Sequence, residues 1–280
     1  MEIFRDPAAF QKQSLAWRAE GLRVALVPTM GALHAGHFSL IEEARRIADR
    51  VSVSIFVNPI QFGPNEDLAK YPRTFEADAE GCRARGVDAI LAPEPASVYP
   101  EGFQTAVHVD RLTRPLCGRT RPGHFDGVTT VVLKLMMLAQ PNVALFGWKD
   151  AQQLLVIKRM VRDLDVPVEV RGVEIVREAD GLARSSRNVY LTPAERAEAP
   201  RIQRGLAAAK AAFAQGERDA TKLIATARRP IEECPLMRID YLEARSMETL
   251  EEVAEASEGA MIIAAAVYLG KTRLIDNVRL

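Results

Sequence analysis

Apolar, often β-branched runs alternate with stretches of helical period through the first two thirds of the chain. The runs at 24–27, 51–57, 87–91, 143–146 and 166–170 have the length and apolar density of parallel strands covered on both faces. Between them the spacing predicts helices over 37–50, 74–85, 128–139 and 150–164, with Gly86 placed to stop the second and Pro141 following the third. Such a βα rhythm predicts an α/β domain, a doubly wound, Rossmann-like parallel sheet. After Val176 the texture changes. Asp180 and Gly181 mark a turn, and Thr192, Pro193 and Glu195 combine a capping box with Pro at the first helical position. Ala-rich helices to about residue 233 and strand-like runs at 238–243, 261–269 and 272–275 then predict a second, smaller α+β domain. The expected domains are therefore 1–176 and 177–280.

Composition narrows the function classes. The 280 residues are 48% hydrophobic and 26% charged, an ordinary globular balance. Thirty-seven basic residues offset thirty-seven acidic ones, so no global field holds a nucleic acid or a membrane face, and any phosphate recognition must be local. The longest uncharged apolar stretch, 260–269, has about half the residues needed to span a bilayer. Glu2, Arg5 and Asp6 interrupt the N-terminus where a secretory signal needs an apolar core, which predicts a cytoplasmic protein. Cys82, Cys117 and Cys234 are odd in number and far apart, as expected of reduced thiols rather than disulfides or a structural zinc site.

The candidate chemistry lies in four segments. Residues 28–37, PTMGALHAGH, join the first predicted strand to the first predicted helix, where an open parallel sheet binds its ligands and a helix offers unpaired N–H groups. Two of the chain's four histidines, His34 and His37, stand there three residues apart and can donate ring N–H bonds to one anion. Phe146, Gly147, Trp148, Lys149 and Asp150 end a later strand, and Gln153 lies four residues after Lys149, on the same face of a helix. Arg184, Ser185, Ser186, Arg187 and Asn188 lack an apolar face and suit a flexible loop closing over a polyphosphate, or else a solvated linker. Asn58, Gln61 and Phe62 follow another strand and suit a small polar organic acid. The 70–73 and 121–125 segments offer further cationic or phenolic groups, read mainly as loop anchors.

Taken together, VPTMGALHAGH at 27–37, SIFVNPIQFGPNEDLAKYPRT at 54–74, HFDGVTTVVLKL at 124–135, FGWKDAQQL at 146–154, VREADGLARSSRN at 176–188 and KTRLIDN at 271–277 closely resemble the pantoate–β-alanine ligase family of the HIGH-type nucleotidyltransferases. The HxGH turn alone marks only the superfamily, and a nucleotidyltransferase that keeps the nucleotide on its product shares it. The resemblance implies ATP-dependent ligation of pantoate and β-alanine through a pantoyl adenylate, releasing AMP and pyrophosphate, with Mg2+ accompanying the ATP. It places ATP on Met30, Gly31, Ala32, Leu33, His34, Ala35, Gly36 and His37, on Gly147, Trp148, Lys149 and Asp150, and on Val176, Arg184, Ser185, Ser186 and Arg187. The resemblance likewise implies His37, as a proton donor, together with His34, Lys149 and Arg187 as the catalytic set. Gln61 and Gln153 would hold pantoate, and Gln61 also serves β-alanine. A cytoplasmic homodimer with a C-terminal lid domain is likewise implied. Three positions depart from the common family pattern: Ala35 and Trp148 replace frequent acids, and Arg184 a usual apolar residue, which makes the expected nucleotide pocket more positive. The protein ligands of the metal stay open, since Asp67 and Asp78 have no distinctive spacing.

Overall fold

In the computed structural model, which describes residues 1–64 and 66–280, the apolar runs become strands. Asn65, within the 54–74 segment quoted above, lies outside the described residues. The first six strands are β1 (Glu2–Phe4), β2 (Val24–Thr29), β3 (Arg50–Ile55), β4 (Ala89–Leu91), β5 (Val143–Gly147) and β6 (Glu169–Val173). They form one sheet in the order β1-β4-β3-β2-β5-β6, with every neighbouring pair parallel. β3 and β5 flank β2 on opposite sides, so the chain reverses its winding between β2 and β5. Beyond the carboxyl ends of these two strands lies the crevice where such sheets bind ligands.

By its internal contacts the chain divides into two compact units. The first holds Met1–Asp110, Thr120–Gly147 and Val156–Glu174; the second holds Arg111–Arg119, Trp148–Leu155 and Ile175–Leu280. In the first, Ala25, Val27, Val51, Val53, Ile90, Val143 and Leu145 pack against Leu40, Ile41 and Ala44 of helix Ala35–Ile47 and Ala79 and Cys82 of helix Phe75–Arg83. Helices Pro7–Ala19 and His124–Ala139 touch each other and β2, covering the opposite face. The doubly wound expectation therefore holds. Burial pushes the Cys82 thiol up to about 12, and Asp78 adds to the shift, so this sulfur is inert at neutral pH.

Three differences from the sequence reading have physical causes. Sequence patterning does not reveal β1, whose three residues are too few for a period and two of which are exposed. The fifth run starts its strand at Glu169 rather than Val166, because Pro167 has no N–H to give a ladder and Val168 turns back onto Val166 at 2.7 Å. The helix expected from 128 begins at His124, after Gly123 in a left-handed conformation, φ 77°. Its early turn is hidden by Gly127, where a Cβ would stand 2.6 Å from Gln61 Cα.

In the second unit β7 (Met237–Ser246), β8 (Met261–Leu269) and β9 (Thr272–Arg279) form an antiparallel sheet in that order. Helices Arg201–Ala214 and Ala220–Glu232 bury Ile202, Leu206, Leu223 and Ile231 against its Ile263, Val267 and Leu274. The anticipated capping box is present: Thr192 Oγ1 accepts from Glu195 N–H and Thr192 N–H donates to the Glu195 carboxylate. β9 outruns its expected end at 275 because the polar pair Asp276 and Asn277 interrupts the apolar pattern without interrupting the ladder. Cys82, Cys117 and Cys234 are buried thiols that form no disulfide with one another. Among the described residues, no helix is long and apolar enough to cross a membrane.

Candidate active site

The 29–37 turn is built outward from the end of β2. The Thr29 hydroxyl donates to Ser54 O at 2.7 Å and accepts from Gly31 N–H at 3.2 Å. Gly31 then takes φ 84°, and a Cβ there would stand 3.1 Å from both Asp78 Oδ2 and Ile55 Cγ2, so only glycine fits. Asp78, 3% exposed, accepts the N–H groups of Ala32 at 2.9 Å and Leu33 at 2.8 Å and the Thr74 hydroxyl at 3.1 Å. A carboxylate left open as a metal ligand is thus an anchor for the turn.

His34 is the N-cap of helix Ala35–Ile47, which moves the helix start two residues ahead of the expected 37. Its Nδ1 accepts from Gly36 N–H at 3.1 Å, and its own backbone N–H donates to His37 Nδ1 at 3.4 Å. The two rings lie 4.1 Å apart, tilted by 36°. With both Nδ1 atoms accepting, the hydrogen-bond pattern assigns the neutral Nε2–H tautomer to each imidazole. Each therefore presents a donor at the positive end of a helix, an arrangement that suits phosphate oxygens.

Gln61 belongs to the same unit and reaches the same turn, its Nε2 donating to Met30 Sδ at 3.2 Å. Asn58 Nδ2 holds Gln61 Oε1 at 3.0 Å and Gly127 O at 3.0 Å, and the Tyr99 hydroxyl donates to Asn58 Oδ1 at 2.8 Å. From the other side Arg121 clasps both Glu66 oxygens at 2.6 Å and donates to His124 Nε2 at 2.9 Å. His124 Nδ1 consequently carries the proton that bonds Gln61 O at 2.9 Å. Burial pushes the Glu66 carboxyl up, but the Arg121 hydrogen bonds and charge outweigh it and hold the group below its ordinary value. The 121–125 segment is an anchor, as expected; Asn58 and Tyr99 are orienting residues that the sequence did not single out for that work.

In the second unit Lys149 sits in the 3-10 turn Trp148–Asp150, ahead of helix Ala151–Asp163 rather than on a shared helical face with Gln153. Its Nζ lies 3.1 Å from Asp150. Gln152 is fully engaged in structure, accepting from Cys117 N–H and donating to Leu112 O and Pro115 O, while Gln153 is half-buried one position on. The Arg184–Arg187 stretch is better ordered than a flexible linker. Ser185 Oγ caps the 3-10 turn Ser186–Tyr190 by accepting from Arg187 N–H at 3.3 Å, and Arg184 N–H donates to Val176 O at 2.9 Å. Asn188 Nδ2 ties the turn to Glu178 and to Ala183 O. Arg184 stands 3.8 Å from Glu178, so the charge it adds has a carboxylate beside it. Burial opposes but does not overcome the pull of Arg196, which keeps Glu178 below its ordinary value. β9 touches both the Lys149 turn and the Arg187 turn. The structure thus gathers the imidazoles, Met30 and Gln61 within one unit, and the turns of Lys149 and Arg187 within the other.

Comparison with known proteins gives one answer across the chain. The family model described as pantoate–β-alanine ligase matches residues 2–279. A pantothenate synthetase of Nitratidesulfovibrio vulgaris is 52% identical over 281 residues, covering 100% of this chain and 99% of the relative. The crystal structure of pantothenate synthetase from Thermus thermophilus superposes with a TM-score of 0.93 at 44% identity, covering 100% of this chain and 99% of that one. The Francisella tularensis pantoate–β-alanine ligase, complexed with β-γ ATP and β-alanine, gives a TM-score of 0.80 at 31% identity over 100% and 97% of the two chains.

Proposed function

This chain belongs to the pantoate–β-alanine ligase family and makes pantothenate from pantoate and β-alanine with ATP; we propose that its own residues divide the work as follows. In the first step a pantoate carboxylate oxygen attacks the α-phosphorus of ATP, the bond from that phosphorus to the pyrophosphate oxygen breaks, and pyrophosphate leaves. In the second the uncharged amine of β-alanine attacks the pantoyl carbonyl carbon, loses a proton and displaces AMP. Negative charge grows on the phosphoryl oxygens and the leaving group in the first step, so fixed cations and N–H donors are what it requires.

The observation that carries these roles is the His34 and His37 pair, held by Nδ1 to the backbone at the switch point of the sheet with Nε2–H as donor. His37 donates a hydrogen bond from Nε2–H to the departing phosphate oxygen as charge grows there, and His34 stabilises the same charge. Lys149 and Arg187 neutralise the α- and β-phosphates. The 30–37, 147–150 and 184–187 segments with Val176 bind the nucleotide, and Gln61 and Gln153 hold pantoate, Gln61 also meeting β-alanine. No protein nucleophile is required, because the substrate carboxylate attacks phosphorus itself.

Magnesium enters as part of the ATP substrate. Among the described residues no three His, Cys, Asp or Glu side chains form a metal site. Asp78 already accepts three donors that anchor the 29–37 turn, so it is not offered to an ion, and no step is routed through one. The family likeness also supports a homodimer and a cytoplasmic location.

The test is pyrophosphate release with pantoate alone, followed by AMP and amide formation on adding β-alanine. Release that needs neither acid nor amine would refute the proposed steps, as would a product that retains the nucleotide.

A further inference from the structure

Resting on that reading, we propose that Asp276 and Asn277 are positioning residues that fix the Lys149 turn and the Arg184–Arg187 loop to one strand. The KTRLIDN segment matched the family but received no role from the chemistry. Its last two residues are each 4% exposed, near the end of the outer strand β9, and strand alternation sends their side chains to opposite faces. Asp276 interrupts an otherwise apolar row of Leu274, Val278 and Leu280.

Asn277 Nδ2 donates to the consecutive carbonyls of Trp148 and Lys149, at 2.7 and 3.2 Å. Holding two successive carbonyls fixes the peptide planes on either side of Lys149, and with them the direction in which its side chain leaves the backbone. Two residues on, the Arg279 guanidinium lies 4.3 Å over the Trp148 ring, gripping the same turn by its side chain. On the other face Asp276 takes Arg177 in a two-pronged pair at 2.6 and 2.9 Å, and Asp276 Oδ1 also accepts from Asn277 N–H at 2.8 Å. Arg177 in turn donates to Gly181 O at 3.0 Å and bridges to Ala183, the residue before Arg184. One side chain therefore sets the base of the serine-arginine loop and its neighbour sets the lysine turn. Because the two are adjacent on one strand, the spacing between the turns that carry Lys149 and Arg187 is fixed by a rigid element before ATP arrives.

The test follows pantoate-dependent pyrophosphate release by the full chain. Asn277→Ala is expected to lower kcat by roughly 10- to 100-fold while the KM values for ATP and pantoate stay within about threefold. In a Lys149→Ala background the same change is expected to alter kcat by less than about twofold, since the group it aims is gone. Asp276→Asn is expected to behave in the same way toward Arg187→Ala. Asn277→Ser, whose hydroxyl is too short to reach the two carbonyls, is read identically if Asn277→Ala does not fold. Unchanged kcat, or losses that simply multiply in the double variants, would overturn the positioning role. Failure of both Asn277 variants to fold would do the same in favour of a purely structural one. If the wild-type protein shows no pantoate dependence, the ligase roles fall and this inference with them, whereas an active wild type with a normal Asn277→Ala removes this inference alone.

Discussion

The imidazoles at the head of helix Ala35–Ile47 do two jobs with two different atoms. Nδ1 of each ring holds backbone N–H, while the donor proposed for phosphate is Nε2–H. Substitution can separate these jobs. Asparagine at position 34 keeps an acceptor where Nδ1 stands and is a good N-cap, so His34→Asn should unfold at nearly the wild-type temperature yet lose roughly 100- to 1000-fold in kcat. His34→Ala should lose activity and also about 1 kcal/mol of stability, read from denaturant unfolding. His37→Ala and Lys149→Ala should each lower kcat by roughly two to three orders of magnitude with the fold intact by circular dichroism. Turnover close to wild type in a folded Lys149→Ala would remove that residue from the machinery. Asp78 makes a different prediction, because it touches no substrate in this account. Asp78→Asn turns an amide NH2 toward N–H groups that now meet a carboxylate oxygen, so it should cost about 1–3 kcal/mol and blunt activity through the loosened turn.

At the scale of elements, helix His124–Ala139 reaches the Pro59–Gln61 turn only because residue 127 lacks a side chain. Gly127→Ala would put a Cβ 2.6 Å from Gln61 Cα and 2.7 Å from Ile60 O, both backbone, so the turn must move. The expected cost is about 1–3 kcal/mol, with KM for pantoate rising more than KM for ATP. The same turn carries a pH signature. The Glu66 carboxyl is held below its ordinary value by Arg121, so its stabilisation is complete above the ordinary carboxylate range and is lost as pH falls through the lowered value. Wild-type melting temperature should therefore drop below about pH 5 more steeply than that of Glu66→Gln; parallel curves would contradict the pairing. Much of this level was legible from the chain. The βα alternation and the turn at 28–37 follow from local periods and from glycine and histidine spacing, whereas the strand order that puts the reversal between β2 and β5 is set by non-local pairing. Tyr99 on Asn58 and Asn277 on the Trp148 carbonyl were not legible, because they join groups 41 and 129 residues apart and leave no periodic trace. The three-residue β1 and the strand end across Asp276 and Asn277 escaped for a related reason: pairing, rather than apolar pattern, defines them.

For the whole molecule, equal numbers of acidic and basic residues leave recognition to local groups, and those groups come from separated stretches of chain. The balanced charge leaves no global field, and the assembled motifs carried the family assignment that the comparisons then showed. What such motifs leave open is which atoms the fold holds ready and which side chains hold them, as with Asp78 beneath the imidazole turn. The proposed mechanism depends on one chemical event, attack of the pantoate carboxylate on the α-phosphorus. Pantoate labelled with 18O in its carboxyl group tests it directly, since the oxygen that forms the new bond departs with the nucleotide in the second step. Mass spectrometry of the products should find one labelled oxygen in each AMP and none in pyrophosphate. Label in pyrophosphate or inorganic phosphate, or unlabelled AMP, would contradict attack at that phosphorus.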